Sequence, residues 1–409
     1  MTAEGRTGRR LRLISRCAAL SATAVLLLPQ VPWRWLAALP TAVSPFVAIS
    51  SAAALHAVSA LTLAALPVLL LILSRGRWFC RWACPTGLLT ECAGQVGAAL
   101  GLARRAGVRW PCLGPWIACL TLAGACLGYP LLVWLDPLAM LTGCLGAASQ
   151  PESWWGWCYA LGLPAVLLLS LFQPGLWCHK LCPLGATQDL VTLPQGRRPS
   201  PVWRKKRGDE VPVEPTRTAL SRTRRSLLAA AVGVAWAAVT LRSARTGEAR
   251  PIRPPAAIGE REFPGVCLRC GNCVRACPTR IIRPDLGAHG VASFLSPVVQ
   301  FEEGYCQEDC CRCSEVCPSG AIAWLSLEQK PHVAMGLPWV DMAICLLGDD
   351  RECAACRNHC PYAAITYVFN EADYTTTPQI DPAKCNGCGA CQLYCPTTPA
   401  KAIVVRPAH

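Results

Sequence analysis

Seventeen of the chain's 28 cysteines lie between residues 267 and 395, sixteen of them in four runs that each close on Cys-Pro. The first run holds Cys267, Cys270, Cys273 and Cys277, and the fourth holds Cys385, Cys388, Cys391 and Cys395. Both follow C-x2-C-x2-C-x3-C-P, the spacing with which bacterial ferredoxins hold a [4Fe–4S] cluster through thiolates. Three closely spaced thiolates on a tight loop can wrap three irons of a cubane, while the fourth points away to complete a neighbouring cluster. The proline stops the loop from continuing the same backbone pattern. The second run (Cys306, Cys310, Cys313, Cys317) and the third (Cys345, Cys353, Cys356, Cys360) stretch only the first gap. Cys311 is a fifth cysteine in the second run; Cys310 is taken as the ligand because it leaves the next C-x2-C step intact. Sixteen ligands imply four [4Fe–4S] clusters. Zinc modules would pair two C-x2-C knuckles or add histidines, and only His289, His332 and His359 lie nearby. Four repeats of a cluster motif are also not the pattern of disulfide-stapled loops.

Two further motifs lie upstream. WFCRWACPTG carries Cys80 and Cys84, and LWCHKLCPLG carries Cys178 and Cys182, each as C-x3-C-P-x-G. One pair is too few for a cluster. Brought together, two pairs make one [4Fe–4S] site or another thiolate metal site; apart, they are capped loops with reduced structural cysteines. Cys17, Cys92, Cys112, Cys119, Cys126, Cys144 and Cys158 show no ligand spacing and read as small buried hydrophobes.

The elements that must position these groups divide by composition. Hydrophobic residues make up 53 % of the 409 residues and charged residues 16 %, and the apolar residues concentrate before residue 250, as in a membrane protein. Residues 1–250 carry 26 basic and 9 acidic side chains, residues 251–409 carry 13 and 16. The basic excess therefore belongs to the apolar half, where membrane topology accounts for it, and nucleic-acid binding is excluded. Transmembrane spans are expected near 13–29, 52–73, 117–135 and 155–172, with the N-terminus cytoplasmic. Arg75, Arg77, Arg104, Arg105 and Arg109 mark the cytoplasmic side, so both C-x3-C-P motifs fall there, each just after a span, as a duplicated two-helix unit. His56 is the only histidine within an expected span, which argues against a haem with two axial side chains. It is either a quinol contact or a satisfied core histidine. Asp136 and Glu152, at far-side span ends, are either proton acceptors or, the simpler reading, solvated loop carboxylates.

The expected organisation is a four-helix membrane domain (1–193), a basic cytoplasmic linker (194–225), a twin-arginine-type signal or fifth transmembrane segment (226–241), a Pro-rich tether (242–262) and a four-cluster ferredoxin domain (263–409). Thr223-Arg224-Arg225-Ser226-Leu227-Leu228 resembles the twin-arginine export signal, a route that carries folded cargo and so suits a domain whose clusters are assembled in the cytoplasm. The fold class is an α-helical membrane domain of four to five spans joined to an α+β polyferredoxin domain.

The whole arrangement is similar to the NapH and NapG proteins, here joined in one chain. Cys80, Cys84, Cys178 and Cys182 match the NapH-type motifs; Arg224, Arg225, RPPAA at 253–257 and the four cysteine runs match NapG and the related MauM ferredoxins. Two departures stand out: no ferredoxin runs follow the second C-x3-C-P on the cytoplasmic side, and the second and third runs are irregular in spacing. The resemblance implies a protein of the inner (cytoplasmic) membrane that oxidises quinol and delivers electrons from a periplasmic ferredoxin domain to a periplasmic reductase or cytochrome. The alternative is a factor supplying electrons for maturation of a metalloenzyme, such as nitrous oxide reductase or a copper oxidase.

Overall fold

The computed structural model describes residues 3–28, 34–103, 111–149, 154–192, 216–243, 250–349, 351–371 and 374–407. Arg104, Arg105, Arg109, Glu152, residues 194–215 of the linker and residues 244–249 of the tether lie outside the described residues. The chain forms two compact units. One comprises residues 1–247 with 261–270 and 318–320; the other comprises 248–260, 271–317 and 321–409. Residues 263–270, expected in the ferredoxin domain, thus group with the first unit, together with 261–262 of the expected tether.

The first unit is helical. Trp154–Phe172 is long and apolar enough to cross a membrane, and the pair Arg34–Ala42 and Pro45–Leu55, bent by 98°, passes the same test if taken as one span. Ala60–Arg75, Gly114–Ala125, Pro137–Ser149 and Leu227–Arg242 are apolar but shorter. Two expected spans are broken. The stretch 52–73 is interrupted after Leu55, where His56 adopts a left-handed backbone (φ 48°) and the Ser59 hydroxyl caps a new helical turn by accepting the Thr62 N–H at 3.2 Å. The stretch 117–135 stops at Ala125, ahead of Gly128 (φ +87°) and Pro130. Mean apolarity does not register such breaks, because a helix and a turn within the same apolar run have the same composition. Asp136, expected as a solvated carboxylate, is instead fully buried. Its carboxylate accepts the N–H groups of Leu138 and Ala139 at the start of Pro137–Ser149 and the Ser44 hydroxyl at 2.7 Å. A helix start hidden from water needs such an acceptor.

Helices approach closely where one presents glycine. Gly97 of Pro85–Ala99 lies against the Leu171 carbonyl of Gly162–Phe172, Gly143 of Pro137–Ser149 against Tyr159, and Gly233 of Thr216–Ser243 against Leu120 of Gly114–Ala125. Small residues at the contact let backbones meet. At one end of Gly114–Ala125, Gly114 meets the Cys182 carbonyl; beyond the other end, Tyr129 meets Gly265.

The second unit has little regular structure. Three separate antiparallel ribbons pair Ile282–Pro284 with Pro297–Val299, Gly336–Val340 with Ile403–Pro407, and Ile365–Asn370 with Thr375–Ile380. Each cysteine run turns into a helix of one turn carrying its third cysteine: Asn272–Ala276, Arg312–Glu315, Ala355–Asn358 and Ala390–Leu393. Gly271 and Gly389, at the starts of two of these turns, take positive φ, which a side chain would resist.

Gly97→Ala is expected to cost about 1–3 kcal/mol, because its Cβ would overlap the Leu171 carbonyl. Gly8→Ala, within the helix Ala3–Leu26 and with open space around it, should not destabilise the purified chain, since alanine favours a helix over glycine by up to about 1 kcal/mol.

Candidate functional site

The two C-x3-C-P segments fold alike. The second cysteine of each opens a helix with proline in its first turn: Cys84 before Pro85–Ala99 and Cys182 before Pro183–Thr192. Their backbones agree closely, φ −73° and ψ 110° at Cys84 against φ −63° and ψ 116° at Cys182. In both, the N–H of that cysteine reaches back five residues, Cys84 to the Phe79 carbonyl at 3.0 Å and Cys182 to the Trp177 carbonyl at 2.8 Å. This widened turn is a π-type bulge, a feature that recurs at functional sites.

Cys80, Cys84, Cys178 and Cys182 line one cavity of about 500 Å³. The structure therefore brings the two motifs together. The sulfur hydrogen bonds cross between the repeats. Gln188 Nε2 of the second repeat donates to Cys80 Sγ at 3.0 Å, and Thr90 Oγ of the first repeat lies 3.3 Å from Cys178 Sγ. Gln188 and Thr90 each stand six residues after the second cysteine of their motif. At the seventh residue stand Glu91 and Asp189, and each carboxylate is paired with an arginine lining the cavity. Arg16 NH1 meets Glu91 at 2.9 Å, and Arg77 grips Asp189 with two bonds, Nε to Oδ1 at 2.5 Å and NH2 to Oδ2. Arg16 also donates to the Cys80 carbonyl at 2.9 Å.

The donor set suits thiolate-bound iron. Burial pushes the Cys80 thiol up to about 11, an effect the neighbouring Arg77 opposes; burial also raises Cys84, Cys178 and Cys182, with nearby thiols adding to it at Cys84 and Cys182. Four crowded, buried sulfurs are costly to ionise alone and become stable thiolates when bound to cationic metal. Among the described residues, no three His, Cys, Asp or Glu side chains stand close enough to hold a single metal ion. A cubane carries its four thiolates on four separate irons and so at wider spacing.

In the second unit the cysteine runs exchange members. Cys277, last of the first run, lines a narrow cavity with Cys306, Cys310 and Cys313 of the second run. Cys395, last of the fourth run, lines another with Cys345, Cys353 and Cys356 of the third. Cys360, last of the third run, interacts electrostatically with Cys385, Cys388 and Cys391 of the fourth. Cys317 accepts the Ile322 N–H at 3.3 Å. Cys267 and Cys270 belong to the first unit and Cys273 to the second. Cys311 lies outside these cavities, at the position just before Arg312–Glu315. Two sets are joined directly, since the Cys306 N–H donates to the Cys388 carbonyl at 2.8 Å. Burial lifts Cys306 to about 11 and Cys388 to about 12. Cys395 goes the other way: burial raises it, but the Thr397 hydroxyl and the N–H groups of Thr397, Ala402 and Ile403 outweigh that and hold it below the usual thiol range.

Comparison with known proteins agrees with this division. A family described as a 4Fe-4S binding domain matches twice, at residues 57–103 and 155–201, so each C-x3-C-P motif lies in one copy. A 4Fe-4S dicluster domain matches residues 351–398, and another 4Fe-4S binding domain matches 263–283. The ferredoxin-type protein NapG of Escherichia coli is 35 % identical over 178 residues, which are 41 % of this chain and 74 % of NapG. The methylamine utilization ferredoxin-type protein MauM of Methylobacillus flagellatus is 30 % identical over 178 residues, 41 % of this chain and 73 % of MauM. The chain belongs to the NapG/MauM family of ferredoxin-type proteins. The ferredoxin-type protein NapF of Escherichia coli is similar over 149 residues at 32 % identity, 36 % of this chain and 81 % of NapF. No solved structure gives a significant match. As a member of the NapG/MauM family the chain is an iron–sulfur electron-transfer protein.

Reasoning from the sequence missed Arg16, Thr90, Glu91, Gln188 and Asp189, and used Arg77 only as a topology marker. Superposing the two motifs would have found four of these six: Thr90 and Gln188 at the sixth position, Glu91 and Asp189 at the seventh. Arg77→Met should leave the Asp189 carboxylate unpaired in a mostly buried setting, at a cost of about 3 kcal/mol. In a double-mutant cycle by denaturant unfolding, Arg77→Met with Asp189→Leu is expected to cost clearly less than the two single changes added.

Proposed function

We propose that this chain takes electrons from the membrane quinol pool and passes them through four [4Fe–4S] clusters to a periplasmic redox partner. The observation that carries the reading is the exchange of cysteines among runs, with the Cys306–Cys388 hydrogen bond joining two of the resulting sets. The proposed ligands are the sixteen run cysteines. Cys277, Cys306, Cys310 and Cys313 hold one cluster, Cys345, Cys353, Cys356 and Cys395 a second, and Cys360, Cys385, Cys388 and Cys391 a third. Cys267, Cys270, Cys273 and Cys317 are the remaining run cysteines. Cys80, Cys84, Cys178 and Cys182 hold a fifth cluster or other thiolate metal site.

The clusters, when bound, supply one-electron transfer. The chain's own groups do the rest. Buried sulfurs keep water from the metal, and donors such as Thr90, Gln188, Thr397 and the Ile322 N–H stabilise negative charge on sulfur, which sets potential. In the proposed topology four spans and the apolar part of Thr216–Ser243 anchor the chain in the inner membrane, with the N-terminus inside and the ferredoxin domain outside. A hydrocarbon core about 30 Å thick is too wide for one hop, so quinol within the bilayer is the natural donor.

Purified anaerobically, the chain is expected to hold about sixteen irons, or about twenty with a fifth cubane, with matching acid-labile sulfide. Reduced quinol added to membranes carrying it should bleach the cluster absorbance. About four irons, stoichiometric zinc, or clusters that quinol leaves oxidised would overturn the reading.

A further inference from the structure

One buried cation stands without a carboxylate partner among the described residues. Lys330 is completely shielded from solvent, at the start of the turn Lys330–His332. An ammonium has three donors, and three acceptors surround this one: the carbonyl of Gln307, the carbonyl of Cys310 at 2.6 Å and the sulfur of Cys306. Among the described residues no carboxylate pairs with it. A buried charge is tolerated when an opposite charge answers it. The groups gathered around Lys330 are cysteines of one set: Cys306 and Cys310, which line a cavity with Cys277 and Cys313.

A cubane with four thiolates is an anion, and it becomes more negative on reduction. A cation held against its sulfur therefore favours the reduced form. We propose that Lys330 is the fixed countercharge of the cluster held by Cys277, Cys306, Cys310 and Cys313, and that it makes this cluster the highest-potential member of the second unit. The inference rests on the cluster assignment above and adds the residue that ranks the clusters. One electron leaves the neighbouring cluster, which is oxidised, and arrives at this one, which is reduced. No proton need follow it, because the answering charge is already in place. The Cys306–Cys388 hydrogen bond gives that electron a direct path.

The other two enclosed sets lack this arrangement among the described residues. Lys401 Nζ reaches the Cys395 carbonyl at 2.5 Å and the Leu393 carbonyl at 3.5 Å, not a sulfur, and stays partly exposed. For Cys360, Cys385, Cys388 and Cys391, the charged neighbours that act on the buried thiols are other cysteines. A purely structural Lys330, tying the 307–310 loop to the turn at 330, would need donors but no charge.

The test is an anaerobic redox titration of the full chain followed by electron paramagnetic resonance, with iron counted in parallel. Lys330→Gln keeps a donor and removes the charge; Lys330→Arg keeps the charge. With the iron complement retained, Lys330→Gln should cut the reduced fraction of the highest-potential cluster about tenfold at fixed ambient potential, a shift of about 59 mV for one electron. The other midpoints should stay put, and Lys330→Arg should remain near the unmodified protein. Unmoved midpoints in Lys330→Gln would make the lysine a strut and overturn the proposal. Loss of about four irons in both variants would do the same. Were the unmodified chain itself to lack these irons, the cluster assignment would fail first, and the inference with it.

Discussion

Buried sulfur is the constraint on which this molecule depends. Nine of its proposed ligand thiols are at most 8 % exposed, among them Cys84, Cys182, Cys306 and Cys388. Burial raises most of them, and in the neutral state they give a core little beyond what any small apolar group would. Bound to iron, the same thiols become ligands that tie together segments far apart in sequence. The second unit shows why that matters. Its ribbons are of two strands each and its helices single turns, too little regular structure to close a conventional core, and small modules of this kind are commonly held by metal.

The first unit meets the same constraint with symmetry. Each repeat supplies a cysteine pair, a donor at the sixth position and a carboxylate at the seventh. Each donor serves the other repeat's sulfur, Gln188 reaching Cys80 and Thr90 reaching Cys178. Neither repeat is complete alone. The carboxylates do not face the sulfurs unanswered, since Arg16 and Arg77 bind them at the cavity wall.

Much of this was legible in the cysteines, because thiolate spacing is dictated by the cluster and survives in the linear sequence. The four runs, the duplicated C-x3-C-P motif and the α+β character of the second unit all follow from that. The helices of the first unit were less legible. The stretches 52–73 and 117–135 are apolar throughout, yet His56, Gly128 and Pro130 break them, and a local backbone turn leaves no trace in mean hydropathy. Asp136 was misjudged because a lone carboxylate beside an apolar run looks solvated until the helix start it caps and its Ser44 partner are known. Lys330 was invisible for a related reason: nothing in SLEQKPH marks a lysine whose acceptors lie twenty or more residues away.

The dependence of each repeat on the other is tested most directly by two single substitutions followed by one spectroscopic signal. Cys84→Ser and Cys182→Ser, each made in the full chain and purified anaerobically, should abolish the same metal or cluster signal and leave the irons of the second unit in place. If the two substitutions remove different, independent signals, or either leaves the signal whole, the repeats do not build one site.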